Sequence, residues 1–426
     1  MISNMKHAPK PRGTLVAALD VGTHKIACFI GRVSDDEGSI EVMGVGYQAS
    51  KGIKGGSVVD LEAAESAIRQ SVHTAENMAA DVMKGYPLRE VVINVPGVHA
   101  KSHILSADIQ VHGHDITDND VRCALNKSQQ QVLSAEYELV HTIPVGYRVD
   151  GQEGIRDPRG MVGQNLEVGI HMVTAQLGPL QNIAECVERS HLDIEALCIS
   201  PYAAGLSCLV EDEEDLGCIV IDMGAGVTSL AVFQGGAMIY SDHVPVGGWH
   251  VTNDIARGLT CSSADAERLK TLYGSAMVSS HDDNEMIDVP QVGETDRHSP
   301  NHVPRSVLIG IIQPRLEEIL ELVRTKLEDS GLKASVSRRV VLTGGASQMP
   351  GLRDLAQAVL DKQVRLGRPL RINSLPDAVS GPAFSTTAGL LTYFVNRHDE
   401  MPAEIMTSAH PESLWERVKF WWKENW

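Results

Sequence analysis

The sequence predicts an α/β protein built from two related halves, and three observations carry that expectation. Short apolar strands alternate along the chain with stretches of helical periodicity. Two segments, "TLVAALDVGTHKIACFIGRV" (14–33) and "LGCIVIDMGAGVTSLAVFQGG" (216–236), share one pattern: an apolar run ending in Asp, a Gly-containing turn with Thr, and a second apolar run. Each reads as a β-hairpin with polar residues at its tip. The two aspartates, Asp20 and Asp222, stand roughly 200 residues apart, too far for a solenoid repeat and suited to two halves of one large fold.

Composition bounds the function. The 426 residues are 43% hydrophobic and 22% charged, enough for a large core and more than one domain. A net charge of −18 without any Lys/Arg run argues against a nucleic acid partner. Seven cysteines form no CxxC pair and no zinc spacing, as expected of reduced thiols filling a core. The basic start "MISNMKHAPKPRG" leads into no apolar signal region, and nowhere do 18 apolar residues run together, so the expectation is a chain that stays inside the cell and does not cross a membrane.

The first hairpin tip offers Gly22 and Thr23, followed by His24 and Lys25, and the second offers Gly224, Gly226 and Thr228. Glycines that let the backbone turn so that its N–H groups converge, with threonine hydroxyls beside them, suit phosphate oxygens. An Asp leading into such a tip repels a bare phosphate, so Asp20 and Asp222 make sense with a magnesium ion between carboxylate and phosphate, held through its own waters. Two tips face to face would clamp a triphosphate.

Further along, "RRVVLTGGASQMPGLRDLAQAVL" (338–360) predicts a buried strand, a Gly-Gly turn and a helix entered through Pro350 and Gly351. Gly344, Gly345 and Ala346 leave room for a flat base against backbone. The stretch "SSADAERLKTLYG" (262–274) reads as an N-capped helix with Glu267 and Lys270 one turn apart, a pair able to hold ribose hydroxyls. Four histidines, His99, His103, His112 and His114, lack carboxylates at metal-site spacing and read as surface residues.

The order LDVGT, IDMGAGVT, AERLK, VVLTGGASQMPGL resembles the actin-like ATPase superfamily, and within it the FtsA family of bacterial cell-division proteins. Further matching stretches include "GVGYQASKGIKGGSVVDLEAAESAIRQSVHTAENMA" (44–79), "QEGIRDPRGMVG" (152–163), "VPVGGWHVTNDIARGL" (244–259), "VRLGRPL" (364–370) and "STTAGLLTY" (385–393). The resemblance implies an actin-like two-lobed fold of duplicated ribonuclease-H-like domains. It divides the chain into a first lobe (12–91 and 174–213) with an inserted subdomain at 92–173, and a second-lobe core (214–246 and 314–373) with a small subdomain at 247–313. Residues 374–395 return to the first lobe, 396–410 form a linker, and 411–426 form an amphipathic membrane-targeting helix. It also implies ATP and magnesium as ligands, a filament of the protein with itself, and a place on the cytoplasmic face of the inner membrane at the division site. The small subdomain would dock the C-terminal peptide of the tubulin-like FtsZ, and later division proteins would be recruited. Arg305 and Arg315 are the residues expected to pair with acidic groups of that peptide.

The tail "ESLWERVKFWWKENW" (412–426) holds four of the five tryptophans. At ~100° per residue, Leu414, Trp415, Val418, Trp421, Trp422 and Trp426 share one side of a helix, with Lys419 and Lys423 opposite. This predicts a helix lying in the headgroup plane, its tryptophans at the interface and its lysines reaching anionic lipid.

Where hydrolysing members of the superfamily carry a Glu or Gln to orient the attacking water, this chain places Ser200, just before Pro201. A hydroxyl is a poor base, so the expectation is tight nucleotide binding with at most slow turnover. The alternative reading is a sugar or carboxylate kinase, or another phosphotransferase on the same fold, which has no use for the Trp-rich tail.

Overall fold

A computed structural model describes residues 10–35, 38–129, 131–132, 134–291, 301–332 and 338–396. The linker and the tryptophan helix expected at 396–426, with Leu414, Trp415, Val418, Lys419, Trp421, Trp422, Lys423 and Trp426, therefore lie outside the described residues, save Asn396.

The two halves repeat one topology. In the first, Leu15–Val21 pairs antiparallel with Lys25–Val33, which pairs antiparallel with Ile40–Ala49. On its other side Leu15–Val21 lies parallel to Glu90–Val95, and that strand lies parallel to Asp193–Ile199. In the second, Cys218–Met223, Thr228–Gln234 and Ala237–Val244 form the same antiparallel meander, continued by the parallel strands Arg339–Thr343 and Gln363–Leu366. The central strands are near-continuous apolar runs because both faces of each sheet are covered. The last five residues of Leu15–Val21 before its end at Val21, together with Val21 itself, are all buried, Asp20 included. The short strand Ile372–Asn373 closes the outer edge of the first sheet beside Ile40 and Glu41.

Two helices join the halves. Ser200–Cys208 follows the last strand of the first sheet, and Ser385–Asn396 lies against it backbone to backbone. Gly389 makes that approach possible, since a Cβ there would run into the Ala203 carbonyl. Tyr202, Ala203, Leu390 and Leu391 of these helices share one buried cluster with Ala18 and Phe29 of the first sheet and Val220, Phe233 and Val341 of the second. The core is thus continuous through the hinge.

The strand Glu90–Val95 belongs to the first sheet, so the border expected at residue 92 falls inside it. A separate four-stranded sheet follows, in the order Ala100–Gln110, Asn165–Gln176, Tyr137–Val149, Gln152–Ile155. The helix Asp118–Gln129 packs on it around Val121, Leu125, Leu166 and Val168. On the second half, Gly248–Gly258, Ser263–Tyr273, the paired strands Met286–Val289 and Asn301–Pro304, and the start of Arg305–Asp329 build a small subdomain. That last helix runs on through Pro314, so the border expected at 313 lies within it. Six of the seven cysteines are buried and Cys123 is exposed. Among the described residues no helix is long and apolar enough to cross a membrane.

Candidate functional site

Between the halves lies a cleft of about 490 Å³, lined by both hairpin tips, by the helix Ser263–Tyr273 and by the turn after Arg339–Thr343. Topology accounts for this: in each half the Asp-bearing strand ends at the same edge of its sheet, and the hinge helices turn those edges toward each other.

Asp20 and Asp222 face this space from opposite tips. Two consecutive hydroxyls of the hinge helix hold them, Thr387 donating to Asp20 Oδ2 at 3.0 Å and Thr386 to Asp222 Oδ2 at 3.0 Å. Lys25 Nζ lies 3.5 Å from Asp20. Burial pushes the Asp222 carboxyl up to about 6, and the Asp20 charge adds to the rise, against the Thr386 hydroxyl and the Lys25 ammonium. The pair is short of positive charge, and a divalent cation would supply it; Asp20 and Asp222 are the residues that fit one. Among the described residues no group of three or more His, Cys, Asp or Glu side chains is placed to hold a metal, so any cation here would rest on this pair and its own waters.

The tips themselves differ from expectation in one respect. Gly22, Gly224 and Gly226 all keep φ outside the left-handed region. Their value is space. A Cβ on Gly22 would stand 2.8 Å from the Lys25 carbonyl oxygen, and one on Gly226 would stand 2.7 Å from Thr23 Oγ1 and 3.0 Å from Gly55 Cα. Gly226 brings the two tips together across the cleft. Gly226→Ala should therefore force the tips apart and, on the sequence expectation of a triphosphate clamped between them, weaken magnesium-ATP at least tenfold by calorimetric titration.

Thr23 accepts from the Gly56 N–H at 3.1 Å, which leaves its own proton for a ligand. Thr228 is not brought to the cleft: its buried hydroxyl donates to the Val246 carbonyl at 2.8 Å. His24 and Lys25 line the space, as do Gly344, Gly345 and Ala346. Gly344 has φ +85°, and a Cβ there would meet Asp222 Oδ1 and the Met223 carbonyl, so it accommodates the aspartate strand as well as opening the turn.

Glu267 and Lys270 form the pair expected on one helix face, 2.7 Å apart. Ser262 caps that helix by accepting from Asp265 N–H. The Lys270 ammonium also donates to Gly248 O at 3.1 Å and to Thr252 Oγ1 at 2.8 Å. Burial alone would raise the Glu267 carboxyl, but hydrogen bonds from Lys270 and Thr252 outweigh it and hold the group below its ordinary value.

Ser200 sits on the cleft wall. Its hydroxyl donates to Val95 O at 3.3 Å and accepts from Asn94 Nδ2 at 3.2 Å. Asn94 Oδ1 in turn accepts from Val21 N–H at 2.7 Å, locking the first tip to its neighbour strand. Ser200 thus has its proton engaged and no base beside it among these partners. Asn94, Thr386 and Thr387 are site residues that the sequence reading missed. The signals were an Asn inside the apolar run VVINV and a Thr-Thr pair opening a buried helix.

Elsewhere, Arg305 donates to Asp282 at 2.9 Å, to Glu285 at 3.1 Å and to the Tyr273 carbonyl at 2.8 Å. Arg315 binds Asp254 at 2.5 Å and Glu318. Both guanidinium groups are engaged within the chain. His99, expected at the surface, is buried, with Nε2 within 3.1 Å of Gly56 O and 3.0 Å of Ser57 Oγ, and burial lowers its basicity.

Comparison with known proteins decides the family. A family model described as "Cell division protein FtsA" matches residues 219–389, and one described as "SHS2 domain inserted in FTSA" matches 97–174. The "Cell division protein FtsA" of Rhizobium meliloti (strain 1021) is 42% identical over 401 residues, covering 92% of this chain and 90% of the relative. The chain belongs to the FtsA family. The FtsA of Escherichia coli (strain K12) is 33% identical over 420 residues, 96% of this chain and 98% of its own length. Among solved structures, a "PilM-PilN type IV pilus biogenesis complex" chain superposes with a TM-score of 0.64 at 17% identity, covering 90% of this chain and 99% of that one. MreB5 of Spiroplasma citri bound to ADP gives 0.51 at 12% identity, covering 94% and 100%. These likenesses establish the actin-like two-lobed fold for this FtsA-family chain. The SHS2 match falls on the four-stranded sheet described above, whose last strand runs two residues beyond it, to Gln176.

Proposed function

We propose that this cell-division protein binds ATP with magnesium between its lobes, polymerises on the cytoplasmic face of the inner membrane and tethers the FtsZ ring there. The observation that carries the nucleotide reading is the opposition of two like tips, each with a buried or half-buried Asp, across one cleft. MreB5, of the same fold, is described as bound to ADP. Thr23 and the N–H groups of the tips would hold phosphates, Glu267 and Lys270 the ribose, and the turn Gly344–Ala346 the base. Magnesium, held by Asp20 and Asp222 through water, would neutralise the phosphate charge. Since Ser200 is engaged with Val95 and Asn94, turnover is slow and the bound nucleotide acts chiefly by fixing the angle between lobes, which favours the filament.

The small subdomain is the proposed dock for the FtsZ C-terminal peptide. Leu272, Met277, Val278, Met286 and Val307 are exposed on its elements, apolar side chains of the kind a peptide could bury. Arg305 and Arg315 would have to exchange their internal carboxylates to take part. The inserted subdomain would recruit later division proteins. The tail supplies the membrane contact through Trp415, Trp421, Trp422 and Trp426.

One experiment tests the tether. Full chain and a chain stopped at His410 are sedimented with anionic vesicles in magnesium-ATP. The full chain pellets with lipid and the shorter one stays in the supernatant. Equal behaviour of the two would overturn the tether.

A further inference from the structure

We propose that Lys54 and Trp249 form a latch across the mouth of the cleft that reads the terminal phosphate of the nucleotide, an inference that rests on the nucleotide reading above. The Lys54 ammonium stands 5.6 Å from the centre of the Trp249 ring, within the ~6 Å reach of a cation–π contact. Lys54 belongs to the first lobe and Trp249 to the second.

Each partner is tied through its backbone to a different hairpin tip. In the first lobe the loop carrying Lys54 is fixed at both ends: Ser50 N–H donates to His24 O at 2.9 Å and Gly56 N–H to Thr23 Oγ1 at 3.1 Å. In the second lobe Gly248 N–H donates to Gly224 O at 2.9 Å and Trp249 N–H to Ala225 O at 2.8 Å. The gap between ammonium and indole therefore follows the gap between the tips. Gly226 touches Gly55 and Thr23 at the same place, so the latch is closed only while the tips are in contact.

Lys54 is held weakly. Among the described residues it is paired with the indole and with no carboxylate. A charge-assisted hydrogen bond to a phosphate oxygen is stronger than an exposed cation–π contact. Trp249 and Gly56, two residues on from Lys54, line the cleft together with both tips, and Lys54 itself is exposed, which puts its ammonium at the rim beside the tips; on this proposal the last phosphate of a triphosphate reaches it and a diphosphate stops short. Capture of the lysine by that phosphate frees the indole, which is 39% exposed and lines the cleft. Lys54 is thus a specificity-determining residue for ATP over ADP, and Trp249 is its partner in the empty state.

The full chain lends itself to a direct test, because its other four tryptophans are all in the tail. Replacing Trp415, Trp421, Trp422 and Trp426 by Phe leaves Trp249 as the single tryptophan, read by selective excitation of the indole over the tyrosines. Magnesium-ATP should change its emission, and magnesium-ADP should change it by less than half as much. In the same background Lys54→Met should show altered emission without nucleotide, weaken ATP about tenfold, and leave ADP within about twofold; Lys54→Arg should restore most of the preference. If the parent binds both nucleotides while Lys54→Met changes neither the emission nor the ATP-to-ADP ratio, the latch is overturned. If the parent binds neither nucleotide, the nucleotide reading itself falls, and the latch with it.

Discussion

Asp222→Asn raises the melting temperature of the nucleotide-free protein above pH 6 while abolishing its response to magnesium-ATP. The folded chain holds this carboxyl at about 6, against an ordinary value of 3.8, because it is buried and faces Asp20. Below the ordinary value both folded and unfolded forms are protonated and the group contributes nothing. As pH rises from about 4 to 6, the unfolded chain releases the proton first, so unfolding gains. Above pH 6 the native state carries the full penalty, of the order of 3 kcal/mol. Asn keeps an oxygen for the Thr386 hydroxyl and removes the charge. The variant should therefore melt several degrees higher at pH 8, with the difference shrinking toward zero near pH 4. Magnesium-ATP should raise the melting point of the parent and leave that of the variant where it is. A variant that melts lower than the parent at pH 8 would show that the two carboxylates are not in conflict.

Gly389→Ala should be far more damaging. The new methyl would overlap the Ala203 carbonyl, and both partners are backbone atoms of helices, so no side chain can swing away. Overpacking in a core typically costs about 1–3 kcal/mol, occasionally more, and here it falls between Ala388 and Leu390, in a cluster shared by both lobes. The expected result is little soluble protein, or a broad unfolding transition in place of a cooperative one. Gly310→Ala is the control, since a Cβ at that exposed helical position meets nothing within 4 Å. It should be neutral or stabilise by up to about 1 kcal/mol, the helix preference for Ala over Gly. Comparable melting of the two variants would mean that the hinge helices slide apart freely.

What the sequence made legible were features encoded over a few residues. The hairpins at Asp20 and Asp222, the capped helix with Glu267 and Lys270 and the turn at Gly344 each declare themselves through local spacing. Partnerships across the fold did not. Nothing near Asp20 announces that Thr387 will hold it, or that Gly226 will rest against Thr23, because the partners of each pair lie hundreds of positions apart in the chain and meet only through tertiary packing. Thr228 reads like Thr23, yet its place as the first residue of a strand turns its hydroxyl to Val246. The borders at 92 and 313 fall inside a strand and a helix where composition does not change.

The closing strand Ile372–Asn373 and the hinge helix Ser385–Asn396 come from the far end of the chain but complete the first half. A chain leaving the ribosome must therefore expose nearly all of its length before that half can close, roughly 20–80 s after initiation at typical elongation rates. The sheet strands of the second half, Cys218–Met223 to Gln363–Leu366, form one uninterrupted stretch that can settle earlier. During that interval the edge of Ile40–Ala49 that Ile372–Asn373 later covers is unpaired, and the apolar surface around Phe29 waits for its hinge helix. The half synthesised first is the half most in need of a chaperone.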